Sequence, residues 1–202
     1  MKIGIMSDSH GDRRAIDRAV ERAGKVDLWL HAGDCVPDAA YLALVSAVRV
    51  ENVAGNTDWP DGKTPDEIVV EAAGHRIFLT HGHIYGVRST LEMLVQAAKE
   101  AQADIAVYGH THVAQEVAGD VHVLNPGSVA RPRDEALRAS LLLASMSGWM
   151  TWVLIRSPMS FLPFRATMSW NEAPLGMMTG GAKSSLLAYL SLMYLMNSMN
   201  RT

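Results

Sequence analysis

Short apolar runs of strand length, each ending in a polar loop that contains glycine, recur through the first two thirds of the chain. An apolar run of this length with polar flanks is typical of a buried strand. Segments with helical spacing of apolar residues separate several of these runs, and such alternation indicates a layered α/β fold. The predicted strand-and-loop segments are KIGIMS (2–7), VDLWLHAGD (26–34), VRVENVAGNTD (48–58) and ADIAVYGHTH (103–112).

The remaining predicted elements are three helices and two hairpins. Gly24 suits the end of the first helix, and Pro37 suits the beginning of the second. The hairpins are expected to turn at Ala73-Gly74 and at Gly119-Asp120. The predicted helices span 12–24, 38–47 and 86–102, and the predicted hairpins span 66–83 and 113–128.

Side chains that can bind a metal follow the predicted strands. In α/β sheets, ligands bind outside the carboxyl ends of the strands. Five loops would therefore deliver these side chains to one edge of the fold, and a single metal centre explains all five. The candidate ligands are Asp8, His10, Asp34, Asn56, His81, His110 and His112.

The number and type of these ligands indicate more than one ion. A zinc ion takes about four ligands, and structural zinc sites use cysteines. Two carboxylates, one amide oxygen and four imidazoles are too many for one ion, and they suit two ions that share a carboxylate. Nitrogen and oxygen donors of this kind fit manganese, iron, nickel or zinc better than calcium or copper(I).

Six short motifs occur in an order that resembles the calcineurin-like metallophosphoesterases. The sequence is most similar to their small bacterial and archaeal branch, the YfcE/MJ0936-like phosphodiesterases, over about residues 1–133. The resemblance implies a two-sheet β-sandwich flanked by helices, in four α/β/β/α layers, which we expect to occupy residues 1–145. The motifs are SDSHGD, HAGD, AGNTD, THGH, YGHTH and NPGS.

The resemblance also implies how the ligands divide and what reaction they support. Asp34 would bridge two divalent ions, and a metal-bridging hydroxide would attack the phosphorus of a small phosphodiester in line. Manganese is the preferred ion, with nickel, iron, cobalt and zinc as alternatives. The implied first site is Asp8, His10, Asp34 and His112, and the implied second site is Asp34, Asn56, His81 and His110.

One position departs from the wider superfamily. Many larger members have a histidine after the Gly-Asn pair, where it contacts the phosphate, and this chain has Thr57. A hydroxyl can donate a hydrogen bond to phosphate but is a poor acid near pH 7. We therefore expect a preference for substrates with good leaving groups, unless His83 or, less well placed, Asp58 supplies the proton. The candidate catalytic residues are Asp34, Asn56, His110, His83 and Thr57.

The composition of the chain argues against several classes of protein. The formal net charge is -3, so the sequence gives no sign of a nucleic-acid-binding surface. The single cysteine, Cys35, excludes a disulfide framework and suits a reducing compartment. The N-terminal residues lack the long apolar core of a signal peptide, so we expect a cytoplasmic protein. Two alternatives stay open: a phosphomonoesterase on the same site, and a metal-binding interaction scaffold like the retromer subunit Vps29.

Other chemically capable residues are expected to have structural roles. His31 is interpreted as a packed or supporting side chain, and His75 and His122 as surface residues. Cys35 is expected to be small and buried. Arg131 and Arg133 could contact a substrate phosphate, but solvated surface arginines are the preferred interpretation. Asn125 and Ser128 are interpreted as residues that shape a loop of the metal centre.

The last third of the chain differs in composition. All eight histidines precede residue 123, whereas nine of the twelve methionines follow residue 138. Ser140–Ser145 is predicted to be a last strand of the sheet, and residues 146–202 an apolar extension rich in methionine and serine. Its apolar stretch 184–199 is shorter than the ~20 residues of a spanning helix. An oligomer-forming or partner-binding segment, a membrane-surface helix and a shifted reading frame are alternative explanations.

Overall fold

The computed structural model describes residues 1–133 and the backbone of three later strands. The helices of this part are α1 (Arg13–Ala23), α2 (Val36–Ser46) and α3 (Glu92–Glu100), with a 3-10 turn at His83–Tyr85. The strands are β1 (Lys2–Met6), β2 (Leu28–His31), β3 (Val50–Asn52), β4 (Glu67–Ala72), β5 (His75–Thr80), β6 (Ile105–Val107), β7 (Ala114–Val117), β8 (His122–Pro126), β9 (Ala139–Met146), β10 (Trp149–Arg156) and β11 (Arg165–Ser169).

These strands form two mixed sheets. The first has the order β11-β10-β9-β1-β2-β3, in which β1, β2 and β3 are parallel and β9 runs antiparallel to β1. The second has the order β4-β5-β6-β8-β7, with β5, β6 and β8 parallel and antiparallel strands at both edges. The loops that contain the candidate metal ligands follow the carboxyl ends of the parallel strands.

The two sheets pack face to face because both faces of their central strands are apolar. Alternate residues point to opposite sides of a strand, so Ile3 and Ile5 of β1 meet Ile77 and Leu79 of β5 in the layer between the sheets. On the outer face of the first sheet, Trp29 packs in a cluster with residues of α1 and α2. The outer face of the second sheet is covered in the same way by α3. The predicted four-layer sandwich is confirmed.

The helix α3 is shorter than predicted. The apolar spacing over 86–102 indicated one continuous helix, but Gly86 adopts a left-handed φ of 61° at the end of the 3-10 turn. The Ser89 N–H then donates to the Gly86 carbonyl at 2.9 Å, and Thr90 Oγ1 accepts from the Glu92 N–H at 3.2 Å. These turns delay the helix until Glu92.

The predicted last strand is present, since β9 includes 140–145 and pairs with β1. The strands β10 and β11 continue the same sheet beyond residue 145. The division of the chain at residue 145 stays a prediction, and the stretch 184–199 lies outside the described residues. Within the described part of the chain, no helix combines the length and the apolar character needed to cross a bilayer.

Candidate metal centre

Four of the predicted ligands converge at one point between the loops after β1, β2 and β6. One ligand atom from each of Asp8, His10, Asp34 and His112 lies within 4.8 Å of the others. His112 Nε2 lies 3.2 Å from Asp8 Oδ1 and 3.2 Å from His10 Nε2. His10 Nε2 lies 3.8 Å from Asp34 Oδ2. This is the set of residues implied for the first site.

The other three predicted ligands lie on the far side of the Asp34 carboxylate. His81 Nε2 is 3.4 Å from Asp34 Oδ1 and 3.1 Å from Asn56 Oδ1. The ring of His110 packs edge-on against the ring of His81, with a centroid distance of 5.1 Å. Asp34 therefore directs one carboxylate oxygen to each group, and all seven predicted ligands lie in a continuous cluster.

Hydrogen bonds from the Nδ1 atoms of two histidines make this cluster suitable for cations. His81 Nδ1 donates to the Ala32 carbonyl at 2.8 Å, and His112 Nδ1 donates to the Arg131 carbonyl at 2.9 Å. Because Nδ1 carries the proton, each Nε2 turns a lone pair toward carboxylate or amide oxygens. Such support of the second ring nitrogen is a regular feature of metal-binding histidines.

A buried carboxylate oxygen gives an independent test of this fit. Asp8 Oδ1 is buried and has no hydrogen-bond donor among the described residues, although a buried acceptor without a donor is costly. His112 Nε2, whose ring carries its proton on Nδ1, lies 3.2 Å away, so one acceptor faces another. A divalent cation would satisfy both, and we conclude that the residues fit a metal.

The backbone of the ligand loops is strained in a consistent way. Five of the seven candidate ligands have φ between 46° and 67°, in the left-handed region. This backbone conformation costs about 1–2 kcal/mol for each residue other than glycine. Hydrogen bonds between loops hold this conformation: the Asp8 N–H donates to Gly33 O, and the His110 N–H to Asp8 Oδ2. The five are Asp8, His10, Asp34, His110 and His112.

The protonation states of several ligands are those that metal binding needs. Burial lowers the pKa of His10, and burial together with the nearby His81 and Arg88 lowers the pKa of His110 to about 4. Both imidazoles are therefore neutral near pH 7. Burial favours a raised pKa for Asp34, but the proximity of His81 and the hydrogen bond from the Thr57 N–H outweigh it, and the net pKa is lowered.

Asp58 has a structural role that the sequence did not reveal. Its carboxylate accepts hydrogen bonds from the backbone N–H groups of Cys35, Val36 and Gly55, at 2.7–3.2 Å. It therefore ties the loop after β3 to the loop that carries Asp34. Asp58 is a possible acid by its place in the sequence, but its oxygens are occupied by these three donors.

Three further contacts support the loops of the cluster. Ser7 Oγ donates to Asp8 Oδ2 at 2.6 Å, and the buried Asp38 accepts from the Gly11 N–H at 2.8 Å. Ser128 Oγ donates to the Asp8 carbonyl at 2.8 Å, which agrees with its expected role in shaping the loop. The partners of Asp38 and Ser128 lie 27 and 120 residues away in sequence, so local patterns carry no signal for these two contacts.

The two remaining candidate catalytic residues lie at the rim. Thr57 is exposed, and its backbone N–H donates to Asp34 Oδ1 at 3.1 Å. His83 is half-buried, with its ring centroid 5.5 Å from that of His81 and 6.2 Å from that of His110. Burial, and then His81, lower the pKa of His83, so this imidazole is neutral near pH 7.

The predictions for the residues with expected structural roles agree with the structure only in part. His31 is fully buried, with Nε2 3.0 Å from Ser9 Oγ, as expected for a supporting side chain. The prediction for His122 is wrong: it is buried, and it pairs with Glu116 at 3.0 Å because β8 is an interior strand. His75 is half-buried and pairs with Asp104. Cys35 is partly exposed rather than buried.

The burial of His31 predicts how the stability of the metal-free protein depends on pH. Burial lowers the pKa of His31 to about 4, against about 6.5 for the unfolded chain. Between these values only the unfolded chain binds the proton, so the free energy of unfolding falls as the pH falls. When the pH is lowered from 7.5 to 5.0, we expect His31 to lower the free energy of unfolding by about 2 kcal/mol.

Urea unfolding of chelator-treated protein at the two pH values measures this contribution. The variant His31→Gln removes the titrating group. Between pH 7.5 and 5.0, its free energy of unfolding should fall by about 2 kcal/mol less than that of the unsubstituted protein. The other histidines with lowered pKa values remain, so some loss persists in both proteins. Equal losses would contradict the prediction.

The sequence of this chain is similar to those of known phosphoesterases. A family model described as the calcineurin-like phosphoesterase superfamily domain matches residues 1–147. The phosphodiesterase MJ0936 of Methanocaldococcus jannaschii is 35% identical over 151 residues, which cover 63% of this chain and 83% of the relative.

Solved structures share the fold. A predicted phosphoesterase from Streptococcus pneumoniae has a TM-score of 0.67 at 30% identity, covering 83% of this chain and 97% of its own. Vps29 from Entamoeba histolytica, at 22% identity, has a TM-score of 0.68 over 84% of this chain and 100% of its own. At that identity, the Vps29 likeness concerns the fold alone. With the family match over residues 1–147, the chain belongs to the calcineurin-like phosphoesterase superfamily.

Proposed function

We propose that this metal-dependent phosphoesterase hydrolyses phosphodiesters at a centre of two divalent ions. The observation that carries the proposal is the position of Asp34, which directs one oxygen toward His10 and the other toward His81. A carboxylate between two donor groups suits a shared ligand. One ion would be held by Asp8, His10, Asp34 and His112, and the other by Asp34, Asn56, His81 and His110.

The chain's own residues then prepare the site for a phosphate ester. When bound, the two ions would activate a water as nucleophile and neutralise the phosphate oxygens. The neutral imidazoles of His10 and His110 need not lose a proton before binding metal. Thr57 is exposed beside the cluster, where its hydroxyl can donate a hydrogen bond to a phosphate oxygen.

A diester is preferred to a monoester as the substrate class. The relative in Methanocaldococcus jannaschii carries the name phosphodiesterase. A monoester dianion carries one more negative charge than a diester and would gain from cationic contacts. The seven candidate ligands supply no such contact, so the preference for a diester rests on the name of this relative. The phosphomonoesterase remains the alternative on the same site, and the scaffold alternative is less favoured because no ligand is missing.

Metal reconstitution tests the proposal. Protein stripped with a chelator is supplied with Mn, Fe, Co, Ni or Zn and assayed on bis-p-nitrophenyl phosphate beside p-nitrophenyl phosphate. We expect metal-dependent cleavage of the diester with a higher kcat/KM than for the monoester, and Mn among the best ions. A higher kcat/KM for the monoester favours the phosphomonoesterase. Two bound ions without turnover of either ester would overturn the enzymatic proposal.

The lowered pKa of His83 predicts how activity depends on the leaving group. A neutral imidazole can donate a hydrogen bond but is a poor acid, whereas a true general acid contributes about 10²–10⁴-fold for poor leaving groups. We expect aryl esters to react much faster than alkyl esters, and His83→Ala to lower kcat by about tenfold for both. A loss confined to alkyl esters would identify His83 as the general acid instead.

Three further parts of the proposal come from the sequence. Manganese is proposed because the donors are nitrogen and oxygen atoms without thiolates. The single cysteine suits a cytoplasmic location. Homo-oligomerisation through the apolar C-terminal segment is proposed from composition alone, since most of that segment lies outside the described residues.

A further inference from the structure

We infer that a cleft beside the metal centre, lined by Arg88 and Arg133, binds a second phosphate group of the substrate. The preferred diesters would then carry a phosphate on the alcohol or nucleoside portion, at a distance from the bond that is cleaved. This inference rests on the proposed phosphodiesterase function, because it names the substrate class of the same centre.

The cleft has the size and lining of a small-molecule site. Its volume is about 530 Å³, and ligand pockets commonly measure about 300–1,000 Å³. Val87, Leu91 and Val113 give it an apolar wall, and Thr111 adds a hydroxyl. Such a wall can contact the sugar or aliphatic portion of an organic phosphate while polar groups bind its charged end.

The cleft shares its walls with the loops that carry the metal ligands. Thr111 lies between His110 and His112 in sequence and lines the cleft. The Arg133 N–H donates to the His112 carbonyl at 3.0 Å, which fixes the backbone of Arg133 beside that loop. Val87, which also lines the cleft, packs against Gly82, the residue after His81. A substrate in the cleft would therefore extend from the metal centre.

The charge of the cleft selects for an anion. No aspartate or glutamate lines it, although the chain as a whole has a net charge of -3. Within residues 1–133, neither the Arg88 nor the Arg133 guanidinium forms an ion pair with a carboxylate, and both residues are exposed.

The chemistry of arginine favours phosphate as that anion. A guanidinium presents a planar fork of donors that matches two oxygens of a phosphate, and two such groups can bind a phosphate dianion together. The p-nitrophenyl diesters used in general assays lack this second phosphate. They would occupy the metal centre without using the arginines.

Two matched substrates test the inference: the p-nitrophenyl ester of thymidine 5′-phosphate, with and without a 3′-phosphate. With the metal-loaded protein we expect the 3′-phosphorylated ester to have a kcat/KM at least about tenfold higher, as for a charge-assisted contact. The double variant Arg88→Gln/Arg133→Gln should bring the ratio close to one. Arg18→Gln, which removes an exposed arginine of α1, is the matched control and should keep the ratio.

A binding measurement separates this inference from the proposed function. Chelator-treated protein is titrated with thymidine 3′,5′-bisphosphate, and the double variant should weaken binding by at least about tenfold. If neither ester is hydrolysed, the proposed function fails, and the arginine-dependent binding still supports the cleft. Equal kcat/KM for the two esters, or unchanged binding in the double variant, overturns the inference.

Discussion

Replacing Asp34 by asparagine is expected to lower metal-dependent kcat/KM by about a thousandfold or more, equivalent to about 4 kcal/mol of transition-state stabilisation. The physical reason is that its two oxygens face two groups of ligands, so that one substitution removes an anionic ligand from both. We also expect the bound metal to fall from two ions per chain to one or fewer. Elemental analysis after gel filtration, together with diester hydrolysis, measures both effects.

Asp61→Asn is a matched control for this substitution. Asp61 is exposed, and its carboxylate accepts from the backbone N–H groups of Lys63 and Thr64 in a surface turn. The same chemical change there should leave metal content and kcat/KM within about twofold, as is usual for surface substitutions. An Asp34→Asn protein that binds two ions and keeps a tenth of the activity would contradict the shared-ligand arrangement.

Replacing Gly55 by alanine is expected to damage both stability and metal binding. A Cβ at this position would lie closer than 3.0 Å to Asp34 Oδ1 and to the Asp34 backbone nitrogen. A backbone atom cannot move aside as a flexible side chain does, so the loops must separate. We expect a loss of about 2–3 kcal/mol in the free energy of unfolding, with metal affinity reduced by about 10–100-fold because Asp34 is displaced.

Thermal unfolding and metal titration of Gly55→Ala measure these losses, with Gly119→Ala as control. A Cβ on Gly119 would be in ordinary contact, 3.5 Å from the Val121 carbonyl oxygen, so the change in stability there should stay within about 0.5 kcal/mol. Native stability and affinity in Gly55→Ala would show that the loop after β3 can shift without disturbing Asp34.

The positions of the ligands could be predicted because they follow a rule of α/β sheets. Strand ends can be read from apolar runs, and parallel strands deliver their following loops to one edge. The residues Asp8, Asp34 and His110 were therefore identifiable before any distance was known, and the structure places them in one cluster. The family resemblance added the division into two groups, which the orientation of the Asp34 carboxylate supports.

The supporting contacts could not be predicted because they join distant parts of the chain. Asp58 resembles any other loop carboxylate in the sequence, and only the folded loops show that it accepts from three backbone donors. His122 was predicted to be exposed because it lies in a hairpin, whereas the order of the second sheet makes β8 an interior strand. Strand order depends on non-local pairing, which local patterns do not encode.

The sequence by itself determined the layered fold, the edge at which the site forms and the seven donor side chains, because residue type and periodicity are local properties. The tertiary structure decided which donors face one another, which ring nitrogen of His81 and His112 carries the proton, and which carboxylates lie in the candidate metal centre and which support its loops. Those properties depend on distances of a few ångströms between loops far apart in sequence. Such distances are fixed when the two sheets pack together, and they determine whether the same residues form a metal centre.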